Sequence, residues 1–360
     1  MFENEETVRA IEKIFNARSV AVVGASNDPH KFGYMTLSSI IRGGYEGKVY
    51  PVNAKGADIQ GLKAYASLKE IPGKVDLIVV LIPAQFVPEI LREAGAKGIT
   101  VAAVCSGGFR EAGRIDLENE IRSISKECGI RILGPNIAGF NYLPNKLCSM
   151  FFPVITTRGP LAVVTQSGTV TNGLSEWAAA EGLGISAAVN LGNQVDLCES
   201  DFLDFFAVDR NTKAIAMYLE GVADGRRFLR ALRRAASKKP VVILKAGRTP
   251  EGQRSASSHT GSLASSHELF SAACRQCGGI VADDLETLYD HAKALATMRP
   301  PKGNRILSLS SSGGAGTLAA DVRDVQGLEL PKLPPKFVEE LKKLPLSSLA
   351  NEDIRTQISR

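Results

Sequence analysis

The chain places one of its four histidines, His259, in the polar segment SSHTGSLASS at residues 257–266. A histidine can act as a nucleophile or a general base near neutral pH, and glycine with small hydroxyl residues forms a segment that can move without disturbing a core. Alone, such a segment is more often a solvated loop. A function for His259 therefore requires partners elsewhere, and Glu220, at the end of the apolar run AIAMYLE, is a carboxylate that could hold one ring nitrogen.

Three apolar runs lead into Gly/Ser-rich loops that open a helix: SVAVVGAS at 19–26, GPLAVVTQSGT at 159–169 and NRILSLSSSGGAGT at 304–317. Such a loop lets backbone amides approach a phosphate. The first loop, with Gly24, lacks the full G-x-G-x-x-G pattern of a dinucleotide site. The run PVNAKG has Lys55 where a NAD site would have an acidic residue, which favours a phosphorylated ribose, either of NADP or of coenzyme A.

Apolar strand-like runs alternate with helical runs over most of the chain. The predicted strands are KVYPVN, DLIVVLIP, TVAAVCS and IRILGPN in a first part, and ISAAVNLG, AIAMYLEG and PVVILKAG in a second part. This alternation predicts α/β domains with parallel sheets, which bind ligands at the carboxyl ends of their strands. The polar residues predicted at those ends are Pro83, Ser106, Gly107 and Asn136.

The same pattern predicts the domain limits. We expect a Rossmann-like domain at 8–145, a second α/β domain at 158–298, a linker at 299–304 and a short, partial third α/β unit at 305–360. The third unit has roughly fifty residues, whereas an open α/β domain usually needs ~100 or more.

Composition excludes several classes of protein. With 44% hydrophobic and 22% charged residues, the chain is typical of a soluble globular protein. The densest basic run, RRFLRALRRAASKK at 226–239, predicts the exposed face of an amphipathic helix, and it lacks the aromatic residues of a nucleic-acid site.

No apolar run is long enough for a membrane span, and the acidic N-terminus does not resemble a secretory signal, which predicts the cytoplasm.

The six cysteines are scattered, which predicts reduced thiols and no disulfide framework. Cys274 and Cys277 match C-x-x-C, but they fall in a helical run without a second pair or nearby histidines. Their spacing places both on one helix face, so we expect core packing and no metal site.

Eight motifs occur in one order: GAS at 24–26, PVNAKG at 51–56, IPA at 82–84, SGGF at 106–109, GPN at 134–136, QSGT at 166–169, YLEG at 218–221 and SHTGS at 258–262. This set resembles the α chains of NDP-forming acyl-CoA synthetases of the acetate–CoA ligase (ADP-forming) type, related to the succinyl-CoA synthetase α subunit. The resemblance covers about residues 8 to 298 and continues more weakly to about 330. The chain departs from the family pattern at two places. Ser265 stands where the family often has glycine, and the tail lacks the usual Asn-Pro-x-Asp stretch.

The resemblance implies that the domain at 8–145 binds coenzyme A and that the domain at 158–298 is flavodoxin-like and carries the phosphohistidine segment. It also implies a role for each matching residue. Contact with coenzyme A, or a place beside it, is implied for Gly24, Ser26, Lys55, Pro83, Ser106, Gly107 and Asn136. The family's phosphorylated histidine falls on His259, and its supporting glutamate falls on Glu220. Phosphate is expected on Ser167, Gly168 and Thr169, with Thr260 and Gly261 as further donors.

The family's reaction implies cofactors and a partner. It converts acyl-CoA, phosphate and ADP reversibly to a carboxylate, coenzyme A and ATP, through an acyl phosphate and a phosphohistidine. No stretch with the residues of an ATP-grasp domain occurs here. The expected partner is therefore an ATP-grasp β chain that holds ATP or ADP with Mg²⁺, in a heterotetramer.

Two other functions are consistent with part of the sequence. A non-catalytic coenzyme A-binding or scaffold chain derived from the ligase would bind coenzyme A without phosphorylation of His259. An NADP-dependent oxidoreductase is allowed by Lys55, but it leaves SHTGS unexplained and has no evident hydride-transfer site.

Overall fold

The computed structural model describes residues 5–153, 157–249, 251–252, 254, 266–299, 301–307, 312–329 and 334–343. The chain divides into two compact units, Met1–Met298 and Arg299–Arg360. The predicted site residues His259, Thr260 and Gly261 lie outside the described residues.

The first unit contains two sheets. The first sheet has the order β2-β1-β3-β4-β5, and all of its neighbouring strands are parallel. Its strands are β1 (Ser19–Val23), β2 (Lys48–Val52), β3 (Leu77–Val80), β4 (Val101–Val104) and β5 (Arg131–Leu133). The strands β1, β3 and β4 are buried along their whole length, as expected for apolar runs covered on both faces.

The second sheet has seven strands in the order β12-β11-β10-β8-β9-β6-β7. They are β6 (Phe140–Tyr142), β7 (Leu147–Cys148), β8 (Arg158–Thr165), β9 (Ile185–Asn190), β10 (Ala214–Leu219), β11 (Val241–Lys245) and β12 (Ile280–Ala282). The strands β8 to β12 pair in parallel, whereas β6 pairs antiparallel with both β9 and β7. The structure confirms the predicted α/β class and adds this antiparallel edge.

Helices cover both sheets. In the first unit they are α1 (Glu5–Phe15), α2 (Phe32–Arg42), α3 (Val87–Ala96), α4 (Ile115–Cys128), α5 (Gly168–Ala180), α6 (Glu199–Phe206), α7 (Gly225–Ala236), α8 (His267–Gln276) and α9 (Leu285–Thr297). The Phe15 ring, at the end of α1, is fully buried and stacks on Tyr142 of β6 at 4.6 Å. One hydrophobic core contains residues of both sheets, so the two sheets hold each other in a fixed relation.

The basic helix α7 is amphipathic, as the basic run predicted, but two of its arginines turn towards buried carboxylates. Every residue of the neighbouring α6 is buried, including Asp201 and Asp204. Arg227 pairs with Asp201, and Arg234 forms a bidentate pair with Asp204 at 2.8 and 2.9 Å. Two of the basic side chains therefore neutralise buried carboxylates, which explains part of the charge run.

The second unit has two described helices, α10 (Gly313–Val325) and α11 (Pro335–Lys343). A parallel bridge joins Arg305 and Glu329, with hydrogen bonds from Ile306 N to Glu329 O and from Glu329 N to Asn304 O, both 2.9 Å. This bridge brings the two chain segments that flank α10 side by side. Among the described residues, no helix has the length and apolar character needed to cross a bilayer.

Candidate functional site

The predicted coenzyme A residues follow the carboxyl ends of the first sheet's strands. Gly24 and Ser26 follow β1, Lys55 follows β2, Pro83 follows β3, Ser106 and Gly107 follow β4, and Asn136 follows β5. Parallel strands end at the same edge, so these residues share one edge of the sheet. Asn53 Nδ2 donates to Ala25 O at 2.8 Å and Asn53 Oδ1 accepts from Lys55 N at 3.0 Å, which ties the first two loops together.

Gly24 occupies a place that only glycine fits. Its φ is +93°, and a Cβ at this position would lie 2.5 Å from Leu81 O. The adjacent helix α2 also begins close by, since a Cβ on Gly33 would lie 1.9 Å from Gly24 O. The loop therefore brings the backbone of β1, β3 and α2 together, the arrangement that lets amides approach a phosphate.

The loop that follows β9 in the second sheet contacts the segment that follows β4 in the first sheet. Asn193, after β9, donates from Nδ2 to Glu111 Oε2 at 2.6 Å and to the buried Glu118 Oε2 at 3.0 Å. Glu111 Oε1 in turn accepts from Gly108 N at 2.6 Å and Phe109 N at 3.1 Å. Although burial acts to raise the pKa of Glu111, these hydrogen bonds hold it below its usual value. The loop with Ser106 and Gly107 is thus held by an ionised carboxylate.

The QSGT motif begins helix α5. Ser167 is the N-cap and accepts from Val170 N at 3.4 Å, while Thr165 and Thr171 both donate to Ser167 O, at 2.6 and 2.8 Å. Gly168 and Thr169 are the first helical residues, and amides at these positions have no acceptor within a helix. This helix start is suited to a phosphate group.

The two sets of loops meet in one cavity of about 660 Å³. Ser106, Gly107 and Asn136 line it from the first sheet, and Ser167, Gly168 and Thr169 line it from the second. The remaining lining residues are Phe32, Leu81, Ile82, Cys105, Ile137, Ala138, Phe151, Phe152, Gln166 and Asn190. Gly24, Ser26, Lys55 and Pro83 lie along the same sheet edge but outside this lining.

Glu220 is connected to the cavity through Gln166. Gln166 Oε1 accepts from Glu220 N at 2.6 Å and Gly221 N at 3.0 Å, and Gln166 Nε2 donates to Gly221 O at 2.7 Å. On the other side, the buried Lys245 donates from Nζ to Glu220 O at 2.9 Å. Burial lowers the pKa of Lys245, an effect that the negative charge of Glu220 opposes. The Glu220 backbone is therefore held next to the phosphate loop.

The six cysteines of the first unit are free thiols, of which Cys148, Cys274 and Cys277 are buried and the other three are partly buried. Burial raises the pKa of Cys105, beside the cavity, and of Cys274 to about 12. Cys274 and Cys277 pack in the hydrophobic core, as their spacing predicted. In the part of the chain that the structure describes, no group of three or more His, Cys, Asp or Glu side chains is arranged to hold a metal ion.

Sequence reasoning missed several residues of the site. Gln166 stands inside the QSGT motif without an assigned role, and Asn193 follows the strand ISAAVN in an ordinary loop. The signal for both was a polar residue in the loop after a buried strand, the same signal that indicated Ser106. Glu111 and Phe32 carried no signal, because their roles arise from contacts between distant parts of the chain.

Two family models match the chain. Residues 18–143 match a CoA binding domain, and residues 158–295 match a succinyl-CoA ligase like flavodoxin domain. The junction between them falls beside the cavity, so the fold and site define a coenzyme A-binding α/β protein of the ligase type.

Relatives and solved structures agree with this class. The chain is 43% identical to the acetate–CoA ligase [ADP-forming] I subunit alpha of Pyrococcus furiosus, over 89% of this chain and 71% of that protein. It is 40% identical to the corresponding II subunit alpha, over 95% and 75%. The dinucleotide forming acetyl-coenzyme A synthetase 1 of Ca. Korarchaeum cryptofilum, in complex with phosphate and ADP, matches with a TM-score of 0.88 and 39% identity, over 95% and 74%.

The chain belongs to the ADP-forming acetate–CoA ligase family and aligns with its alpha subunits. This confirms the resemblance and the ligase class that the ordered motifs predicted. Some relatives are longer. The chain covers 47% of the acetate–CoA ligase [ADP-forming] of Methanocaldococcus jannaschii, about half of that protein's length.

Proposed function

We propose that this chain is the alpha part of an ADP-forming acyl-CoA synthetase that acts in the cytoplasm, with coenzyme A on domain 8–145 and phosphoryl transfer on domain 158–298. The observation that carries the proposal is the single cavity lined by Ser106 and Asn136 from one sheet and by Ser167 and Thr169 from the other. A thioester and a phosphate can then meet without crossing solvent.

In the proposed reaction, a phosphate oxygen attacks the thioester carbonyl, the C–S bond breaks, and the coenzyme A thiolate leaves and takes up a proton. The α5 start, with Ser167, Gly168 and Thr169, holds the negative phosphate oxygens. His259 then attacks the phosphorus of the acyl phosphate, and the carboxylate leaves. Thr260 and Gly261 supply further donors beside His259.

Glu220 is proposed to accept a hydrogen bond from His259, which leaves the other ring nitrogen free to attack. The fixed position of the Glu220 backbone, between Gln166 and Lys245, supports this role. The phosphoryl group passes from His259 to ADP on a partner chain with an ATP-grasp domain, which would also hold Mg²⁺, in a heterotetramer.

The test is ATP formation by this chain with an ATP-grasp partner, given acyl-CoA, phosphate and ADP. Loss of ATP formation in His259→Ala, and a loss of about 100-fold or more in Glu220→Gln, are expected, with the affinity for coenzyme A unchanged. Unchanged ATP formation in both variants would overturn the proposal.

A further inference from the structure

Another cavity, of about 430 Å³, lies at the edge of the first sheet that is opposite to the coenzyme A loops. Its lining includes Arg18, Asp76 and Thr100, which directly precede β1, β3 and β4. These strands are parallel, so the residues before them share the amino edge of the sheet. Lys13, in the last turn of α1, and Asn16, which follows this helix, also line the cavity. We call it the amino-edge cavity.

Asp76 is the carboxylate of this lining, and it is occupied by the protein's own groups. Its Oδ2 accepts from Arg18 N at 3.0 Å and from Ser19 Oγ at 3.1 Å, and Lys74 Nζ lies 2.9 Å from Oδ1. Although burial acts to raise the pKa of Asp76, these hydrogen bonds hold it below its usual value. Asp76 is therefore an ionised structural group that fixes the start of β1 and neutralises Lys74.

The cavity keeps two further cations that the protein does not neutralise. In the part of the chain that the structure describes, the Arg18 guanidinium has no hydrogen bond or ion pair, and Lys13 Nζ has one long hydrogen bond, to Thr100 Oγ1 at 3.4 Å. Asn16 Oδ1 accepts from Asn145 Nδ2 at 2.6 Å, which leaves Asn16 Nδ2 as a donor without a partner among the same residues. The lining therefore has an excess of hydrogen-bond donors, and two of these donors are positively charged.

Two like charges in a concave site attract an anion. The field of such a site raises the local concentration of ions of the opposite sign, and a bound anion removes the repulsion between the two cations. The described lining has no aromatic ring, and its apolar members Ala17 and Val75 are small and buried. The cavity therefore suits a compact anion and offers no stacking surface for a nucleobase.

We propose that the amino-edge cavity binds a phosphate monoester of a small, non-aromatic metabolite, as a site separate from the cavity between the two sheets. A phosphate monoester places about two negative charges on three acceptor oxygens, which matches two free cations and the neutral donors beside them. The Arg18 guanidinium can hold two of these oxygens through parallel N–H groups, and Lys13 supplies the second charge. The carbon chain of the ester then lies against Ala17 and Val75. Binding at this site does not depend on the reaction proposed above.

The test is calorimetric titration of the full chain, saturated with coenzyme A, with glycerol 3-phosphate. We expect Arg18→Gln to weaken the binding of glycerol 3-phosphate about tenfold, the loss expected for a charge-assisted hydrogen bond. Lys13→Gln should weaken it about threefold or more, as a second, independent variant of the cavity. Urea unfolding of Arg18→Gln should match that of the wild type, since the guanidinium contacts no other described group.

The control is Lys48→Gln, which removes one positive charge at the same edge of the sheet. Lys48 is the exposed first residue of β2 and lies outside the described lining, so this variant should keep the wild-type Kd. Succinate should bind more weakly than glycerol 3-phosphate, because each of its carboxylates carries a single charge. No binding of glycerol 3-phosphate to the wild type, the same Kd in Arg18→Gln, or an equal loss in Lys48→Gln would overturn the inference. Succinate bound as tightly as glycerol 3-phosphate would overturn the assignment to a phosphate monoester.

Discussion

Asn193 and Glu111 join the two halves of the site through a hydrogen bond of 2.6 Å from Asn193 Nδ2 to Glu111 Oε2. Asn193 follows a strand of the second sheet, while Glu111 holds the amides of Gly108 and Phe109 next to the first sheet. This contact therefore helps to hold the loop with Ser106 and Gly107 against the loop that follows β9.

The first prediction concerns this contact. Glu111→Gln keeps the size of the side chain but removes its charge, and one amide oxygen cannot accept the same set of bonds. We expect about 1 kcal/mol of lost stability, because the carboxylate is partly exposed, and a weaker affinity for coenzyme A. The pKa of Glu111 is lowered in the folded chain, so the wild-type affinity for coenzyme A should also fall when the pH drops below the usual carboxyl range and Glu111 becomes protonated.

Titration calorimetry from neutral pH down to pH values below the usual carboxyl range measures both effects on affinity, and urea unfolding measures stability. Glu120→Gln is the matched control, since Glu120 is an exposed carboxylate on α4 that pairs with Arg92. Equal coenzyme A affinity in wild type and Glu111→Gln would show that the contact does not position the loop.

The second prediction uses two glycines of α5. A Cβ on Gly168 would lie 3.0 Å from Ala138 Cβ and 3.3 Å from Asn190 Oδ1, whereas nothing lies within 4 Å of a Cβ on Gly173. We expect Gly168→Ala to cost about 1 kcal/mol through overpacking and to weaken phosphate binding. Gly173→Ala should stabilise the fold by about 0.5–1 kcal/mol, since alanine is the better helix former.

Urea unfolding and phosphate titration on the two variants check this pair. If Gly168→Ala and Gly173→Ala changed the free energy of unfolding in the same direction, the result would contradict the close approach of α5 to Ala138.

The third prediction concerns Glu199, a buried residue at the start of α6. Burial, with a smaller effect of the Asp201 charge, raises the pKa of Glu199 to about 7. The unfolded value is about 4.3, so between pH 4 and 7 the folded chain holds a proton that the unfolded chain releases. Ionisation therefore opposes folding, and the penalty is complete above pH 7.

Glu199→Gln removes this penalty while it keeps a hydrogen-bond acceptor for Ser200 Oγ, which donates to Glu199 Oε1 at 3.1 Å. The variant should gain up to about 3 kcal/mol in the free energy of unfolding at pH 8 and almost nothing at pH 4. Urea unfolding at the two pH values measures the difference. A gain that is equal at both would be inconsistent with a raised pKa.

The sheets could be predicted from sequence because their strands are continuous apolar runs such as LIVV and VAAV, and parallel strands bring the residues after them to one edge. Ser106 and Asn136 were found in this way. The strands β6 and β7 were missed because three and two residues are too short for a periodicity.

The rest of the site depends on contacts that no local pattern carries. Asn193 and Glu111 are 82 residues apart, and Phe32 meets Phe151 only because α2 and the segment after β7 converge on the cavity. A single polar or aromatic residue in a loop has the same local appearance whether or not a distant partner exists. Such pairs become visible when the fold brings them together.

The central claim is tested most directly by labelling the chain with acyl-CoA and radioactive phosphate, with and without an ATP-grasp partner. An acid-labile, base-stable phosphoryl label is predicted on the wild type and on His291→Ala, an exposed histidine of α9 without a role, and no label is predicted on His259→Ala. Label that persists in His259→Ala, or none on the wild type while coenzyme A still binds, would contradict phosphoryl transfer at His259.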